Sequence, residues 1–191
     1  MVSGRPRSRT GQKMRIISGR LGGRIFEAPT TGKTHPMGEK VRGALFNALG
    51  DIDGLQILDA YAGSGALSFE AMSRGAHSAV AVEWDKSAYK TLVANIFGLG
   101  LEDSVQAHLR SIKAWSVRNV ATQFDIVICD PPYDAVLALA IERLVRHIKP
   151  GGLLVLSWPS KLTAPPMPEC IILNEKTYAG AHIIFYRKTR I

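Results

Sequence analysis

Residues 55–65 read Leu-Gln-Ile-Leu-Asp-Ala-Tyr-Ala-Gly-Ser-Gly, and this stretch decides the fold. It starts as an apolar strand-like run, turns on Gly63 and Gly65, and passes into a helical pattern over about 65–74. The same alternation continues downstream. Apolar, β-branched runs at 79–83, 104–109, 124–129 and 152–157 are separated by helical segments at about 85–97, 111–120 and 135–148. Such alternation specifies an α/β fold with a mostly parallel sheet covered on both faces. Runs at 170–174 and 181–187 have only Glu175–Gly180 between them, which predicts an antiparallel hairpin at the sheet edge.

Upstream, Arg15–Ser18 and Arg24–Ala28 flank a Gly-rich turn and read as a β-hairpin. Residues 29–37 read as a loop. Val41, Leu45, Phe46 and Leu49 then fall at helical spacing, and Gly50 ends the run. Residues 1–13 hold Arg5, Arg7, Arg9 and Lys13 but no acid and little to bury, so a disordered basic arm is expected. Residues 14–191 read as a single domain, with the hairpin and helix at 14–50 and the core at 51–191.

Composition narrows the function. The chain has 191 residues, 46% of them hydrophobic, and a net charge of +8. An excess of that size suits a polyanionic partner. The two cysteines, Cys129 and Cys170, and the five histidines show no metal-ligand spacing, so no metal is expected. The absence of a long apolar run or signal-like N-terminus gives the expectation of a cytoplasmic monomer without membrane contact.

In doubly wound sheets, ligands bind beyond the carboxyl ends of the strands. The first core strand ends at Asp59, directly before the glycine turn. A carboxylate there repels a pyrophosphate, and the third glycine of a dinucleotide fingerprint would fall at Ser68. Both points count against a nicotinamide-dependent oxidoreductase. Asp59 suits a ligand bearing an ammonium and a sulfonium, and Glu83 at the next strand end suits ribose hydroxyls. The expected cofactor contacts are Asp59, Tyr61, Ala62, Gly63, Ser64, Gly65, Glu83 and Trp84, with S-adenosyl-L-methionine as the cofactor.

The fourth core strand ends in Asp130-Pro131-Pro132-Tyr133. Consecutive prolines remove two backbone donors and keep their carbonyls. With the Asp130 carboxylate, the loop end becomes rich in acceptors, which suits the amino group of a base. Tyr133 offers a ring for stacking. Guanine presents N1–H and N2–H side by side, both of which a carboxylate can accept, whereas adenine pairs an acceptor with its N6 donor. Asp130 therefore leans toward guanine N2, with adenine N6 or a DNA base as the alternative. Arg15, Arg20, Arg24, Lys40 and Arg42 are expected to contact RNA phosphates. Trp115 and Trp158 read as packing residues, and Asn95 has no assigned role.

These motifs resemble the RsmD-type 16S rRNA guanine-N2 methyltransferases. The resemblance runs from about Met14 to Arg187. It rests on MRIISGRLGGRIFEAP, KVRGALFNAL, LDAYAGSGALSFEAMSRGA, VEWD, DPPY and EKTYAGAHIIFYRK. It implies a Rossmann-like class I methyltransferase with a seven-stranded sheet whose last strand is antiparallel. It also implies S-adenosyl-L-methionine as methyl donor, S-adenosyl-L-homocysteine as product, and the small ribosomal subunit or an assembly intermediate as partner. The chain departs from the family's usual Arg-Pro-Thr at His35-Pro36-Met37, a segment that the resemblance places near the RNA and the target base, with His35 as an expected RNA contact. It also has Arg110-Ser111 where an acid or amide usually precedes Ala, and the resemblance makes Ser111 an expected cofactor contact. Those departures leave a non-catalytic ribosome-assembly factor as a further alternative.

Overall fold

The computed structural model describes residues 12–29, 37–132, 138–178 and 181–189. A two-stranded antiparallel ribbon, β1 (Lys13–Arg15) and β2 (Ile25–Glu27), leads into α1 (Glu39–Leu49). The core then alternates β3 (Gln56–Asp59), α2 (Ala66–Ser73), β4 (Ser78–Glu83), α3 (Lys86–Leu99), β5 (Val105–Leu109), α4 (Ile112–Arg118) and β6 (Phe124–Cys129). It closes with α5 (Ala138–Glu142), a 3-10 helix (Arg143–His147), β7 (Ile148–Pro159), β8 (Cys170–Tyr178) and β9 (Ala181–Lys188).

The main sheet has seven strands in the order β5-β4-β3-β6-β7-β9-β8. The first five pair in parallel, and β9 runs antiparallel between β7 and the edge strand β8. This is the Rossmann-like class I arrangement expected from the alternation and the resemblance. Ile57 of β3 packs with the ribbon, α1, α2 and α3, whereas Leu58 faces a second core with Trp115, Leu144 and Trp158. The side-chain alternation of one strand thus feeds both layers. Among the described residues, no helix is long and apolar enough to cross a membrane.

Three expectations shift. Lys13 belongs to β1, and the Ala28 N–H bonds the Gln12 carbonyl at 2.7 Å, so residues 12 and 13 are paired rather than part of a loose arm. Residues 1–11 lie outside the described residues. The first ribbon strand ends at Arg15 because the donors of residues 17 and 18 go elsewhere. Ile17 and Ser18 donate to the Glu70 carboxylate at 2.8 and 3.2 Å. Leu21 donates to Ser73 Oγ at 2.9 Å and Arg20 to the Ser73 carbonyl at 2.8 Å. A Cβ on Gly19 would lie 1.8 Å from that carbonyl oxygen, so only glycine lets the turn close onto α2. Finally, of the helical run expected at 135–148, residues 135–137 lie outside the described residues and the α-helix α5 ends at Glu142. The run tightens into a 3-10 turn at Arg143 and gives way at Ile148, which pairs with Phe124 before a register shift in β6.

Candidate active site

Three carboxylates gather where β3, β4 and β6 end. These strands are neighbours, and the chain reverses its direction of travel across the sheet between β3 and β6. That reversal is the switch point at which such sheets hold ligands.

Asp59 closes β3 and is fully buried. Its Oδ2 accepts from the Ser68 N–H at 3.1 Å and from Ser68 Oγ at 2.7 Å. One oxygen therefore satisfies the first turn of α2. The other, Oδ1, is buried without a hydrogen-bond partner. Burial pushes this carboxyl up to about 7 against the pull of Ser68, with the nearby Asp130 and Glu83 charges adding to the rise.

The turn after β3 is pinned on both sides. Ala60 donates to the Ile128 carbonyl at 2.9 Å and Ala62 to the Val82 carbonyl at 3.0 Å. The two glycines of the turn do different work. Gly65, at φ 92°, packs so tightly that a Cβ would lie 2.3 Å from Phe69 Cζ and 2.7 Å from Leu92 Cδ1. Gly63, at φ 55°, would point a Cβ into open space. Gly65 is thus a packing requirement, while Gly63 leaves one side of the turn open for a ligand. The Gly63 N–H donates to Glu83 Oε2 at 2.8 Å, and the Asp85 N–H to Glu83 Oε1 at 2.6 Å. Glu83 is buried, which raises its carboxyl above the ordinary value despite those bonds. Tyr61 and Ala62 continue the turn, Ser64 within it is buried, and Trp84, next to Glu83 in the chain, is 56% exposed.

Asp130 follows β6 and remains partly open to solvent, with Pro131 buried and Pro132 half-buried after it. Burial pushes its carboxyl up to about 6, opposed by a hydrogen bond to Ser157 on β7. Tyr133 lies outside the described residues, as does His35. Ser111 uses its hydroxyl to cap α4, accepting from the Ala114 N–H at 3.3 Å. Among the described residues, no cluster of His, Cys, Asp or Glu is arranged to hold a metal ion.

Two positioning residues escaped the sequence reading. Asn95 accepts from the Glu27 N–H at 3.0 Å and donates to the Glu27 and Ser64 carbonyls at 2.8 and 3.1 Å. It therefore ties β2 to the glycine turn. The signal was a polar residue on the buried face defined by Ala88, Leu92 and Leu99. Ser157 is the other, a buried hydroxyl closing the apolar run of β7 beside Asp130.

The expected RNA-contacting set disperses. Arg42 is a correction: it is fully buried, donates to the carbonyls of Met37 and Arg15 at 3.2 and 2.6 Å, and faces Glu70. A helix pattern does not reveal that the face beside the apolar stripe is covered by the ribbon. Arg15 pairs with Glu39 at 2.9 Å. Arg24 caps the end of α3 through the Leu99 and Gly98 carbonyls at 3.0 and 3.3 Å, and Arg20 bonds the Met72 carbonyl at 3.3 Å. Lys40 is exposed.

The family described as conserved hypothetical protein 95 matches residues 14–187, the same span as the RsmD resemblance. The chain belongs to this family. Ribosomal RNA small subunit methyltransferase D of Escherichia coli is 35% identical over 148 residues, covering 76% of this chain and 71% of that protein. Its namesake from Haemophilus influenzae is 31% identical over 92% of both chains. The solved structure of the Escherichia coli protein yhhF superposes with a TM-score of 0.84 at 27% identity, covering 94% of this chain and all of the other.

Proposed function

We propose that this protein is an S-adenosyl-L-methionine-dependent rRNA methyltransferase that modifies the exocyclic N2 of a guanine in the small ribosomal subunit. The observation that carries this reading is the juxtaposition of three carboxylate-bearing strand ends with an open glycine turn and a proline loop. The names of its relatives supply the substrate class.

The site fits the cofactor. Asp59 Oδ1 is a buried acceptor with nothing to accept, which matches an ammonium donor. Glu83 is held by the Gly63 and Asp85 N–H groups, so its remaining lone pairs have a fixed direction for two ribose hydroxyls. Gly63 leaves room for close backbone approach. When bound, the cofactor supplies an electrophilic methyl group.

The chain's own residues then handle the base. Asp130 accepts N1–H and N2–H of guanine, and the two prolines place no competing donor beside it. Holding N2 in line is the main catalytic task in such a displacement. The methylated nitrogen sheds one proton, and Asp130, with its carboxyl near 6, is placed to take it. Ser157 positions that carboxylate.

Labelled methyl transfer onto small subunits lacking the modification, followed by mass mapping, tests the assignment. A labelled N2-methylguanine is expected, and a methyl on adenine or no transfer would overturn it.

Asp59 makes cofactor binding pH-dependent. The ammonium needs the ionised carboxylate, whereas the free protein holds the proton up to about pH 7. Affinity for S-adenosyl-L-homocysteine should be flat above pH 7. It should fall by up to about tenfold per pH unit below it. Calorimetry from pH 5 to 8 reads this directly (these settings span roughly two units below and one above the carboxyl). Asp59→Asn should bind weakly and without that slope. A pH-independent affinity in the parent protein would remove Asp59 from the role.

A further inference from the structure

On the N-terminal ribbon Arg15 pairs with Glu39, and Arg20 and Arg24 bond backbone carbonyls, while a second set of cations lies on the opposite layer of the sheet. A groove of about 230 Å³ runs between α4 and the segment formed by α5 and the 3-10 helix. Lys113, Arg143 and Arg146 line it together with the buried Ile112 and Ser116 and the exposed Val117. All three cations are exposed. Among the described residues, none of them forms a salt bridge. On α4, α5 and the 3-10 helix together, Glu142 is the single acid, and it is half-buried. The Ser116 hydroxyl is occupied by His147 Nε2 at 2.7 Å, so the cations alone supply free donors.

Three like charges converging on one groove repel one another, and natural surfaces usually intersperse the signs. An anion with regularly spaced charges relieves that repulsion. The location selects which one. α4 starts immediately after Ser111 at the end of β5, and α5 follows the Asp130–Pro132 loop. The groove therefore runs from the active-site end of the sheet, where Lys113 lies in the first turn of α4, towards the opposite end, where the Arg146 carbonyl accepts from Gln123 just before β6.

We infer that this groove binds the phosphodiester backbone of the RNA substrate and leads the strand to Asp130. The inference deepens the rRNA methyltransferase reading and rests on it for the identity of the RNA. It moves the docking surface from the ribbon side of the sheet to the opposite layer. Such contacts position the strand and carry no sequence preference.

The test uses the full chain and the variant Lys113→Ala/Arg143→Ala/Arg146→Ala. Anisotropy with a fluorescein-labelled single-stranded RNA is read across a salt series, beside binding to small subunits. The triple variant should lose about tenfold or more in RNA affinity, and the slope of log affinity against log salt should shrink by roughly two. Its melting temperature and S-adenosyl-L-homocysteine affinity should match the parent, because none of the three side chains touches the core or the cofactor turn. Lys40→Ala on the ribbon side should change RNA affinity much less. An unchanged affinity and salt slope would overturn the inference. So would weakened binding to subunits with naked RNA unaffected, which would assign the groove to an acidic protein instead. Failure of the rRNA reading looks different: the parent would methylate no ribosomal RNA, while the triple variant still lost RNA affinity.

Discussion

Asp130→Ala should reduce methyl transfer to small subunits by about 10²–10⁴-fold, roughly 3–5 kcal/mol of transition-state stabilisation. The loss should fall on kcat. The substitution removes the acceptor that orients the guanine edge and the group placed to receive the departing proton. It should leave the fold intact. Asp130 is partly open to solvent, and its carboxyl is held at about 6 by burial, so removing it takes an unfavourable charge out of the site. Cofactor affinity should be retained, with a diagnostic change. The Asp130 charge helps to raise the Asp59 carboxyl, so without it Asp59 should ionise at lower pH. The midpoint of the S-adenosyl-L-homocysteine pH curve should therefore move down.

Asp130→Asn sharpens the base assignment. An amide presents one acceptor and one donor, which suits the N1 and N6 edge of adenine and clashes with the two donors of guanine. It should be almost as inactive as the alanine variant on guanine. Near-parental activity for Asp130→Asn would favour an adenine substrate. In the parent, activity should fall as pH drops below about 6, because a protonated Asp130 cannot accept both guanine donors. Single-turnover rates with saturating cofactor separate this limb from the Asp59 effect on binding.

Most of the frame was legible because it depends on local pattern. Apolar runs separated by helical segments define β3 to β7, and the missing helix between the last two runs announces the antiparallel edge, although β8 continues as strand through Tyr178 where a link was expected at 175–180. Asp59, Glu83 and Asp130 were legible because each is a charged residue at the end of an apolar strand. What was not legible depends on which surfaces meet. Arg42 and Lys40 flank the same apolar stripe on α1. Only the ribbon, folded back through Glu70, decides that one is buried and the other exposed. Asn95 shows the same limit, since its partners Glu27 and Ser64 lie 68 and 31 residues away. The two glycines of the turn also read alike in sequence. Their roles separate only once Phe69 and Leu92 are seen against Gly65.

The same ribbon gives the largest expected effect on stability. Glu70 is fully buried and accepts from Ile17 N–H, Ser18 N–H and Arg74 Nε, the last at 2.8 Å. It also faces the buried Arg42, whose Nε lies 3.7 Å from Oε2 and has no hydrogen-bond partner of its own. Glu70→Ala leaves two backbone donors unsatisfied and the Arg42 charge uncompensated in the interior. Breaking a buried pair in this way costs about 3–5 kcal/mol. That is a large part of the roughly 5–15 kcal/mol that holds a domain folded. The melting temperature should fall by on the order of 10 °C. Glu70→Gln, which keeps an acceptor, should fall by less, whereas a double change of Glu70 and Arg42 to apolar residues should recover part of the loss. The damage should also reach the cofactor turn. Met14 Sδ sits 3.6 Å from Ser64 Oγ, and Asn95 bridges β2 to Ser64, so a ribbon that lifts away releases the turn from one side. Hydrogen exchange should show lost protection at residues 13–28 before the β3–β6 core, accompanied by weaker S-adenosyl-L-homocysteine binding. Glu70→Ala with parental melting and parental ribbon protection would mean that apolar packing of Ile16, Phe26 and Phe46 alone secures the ribbon.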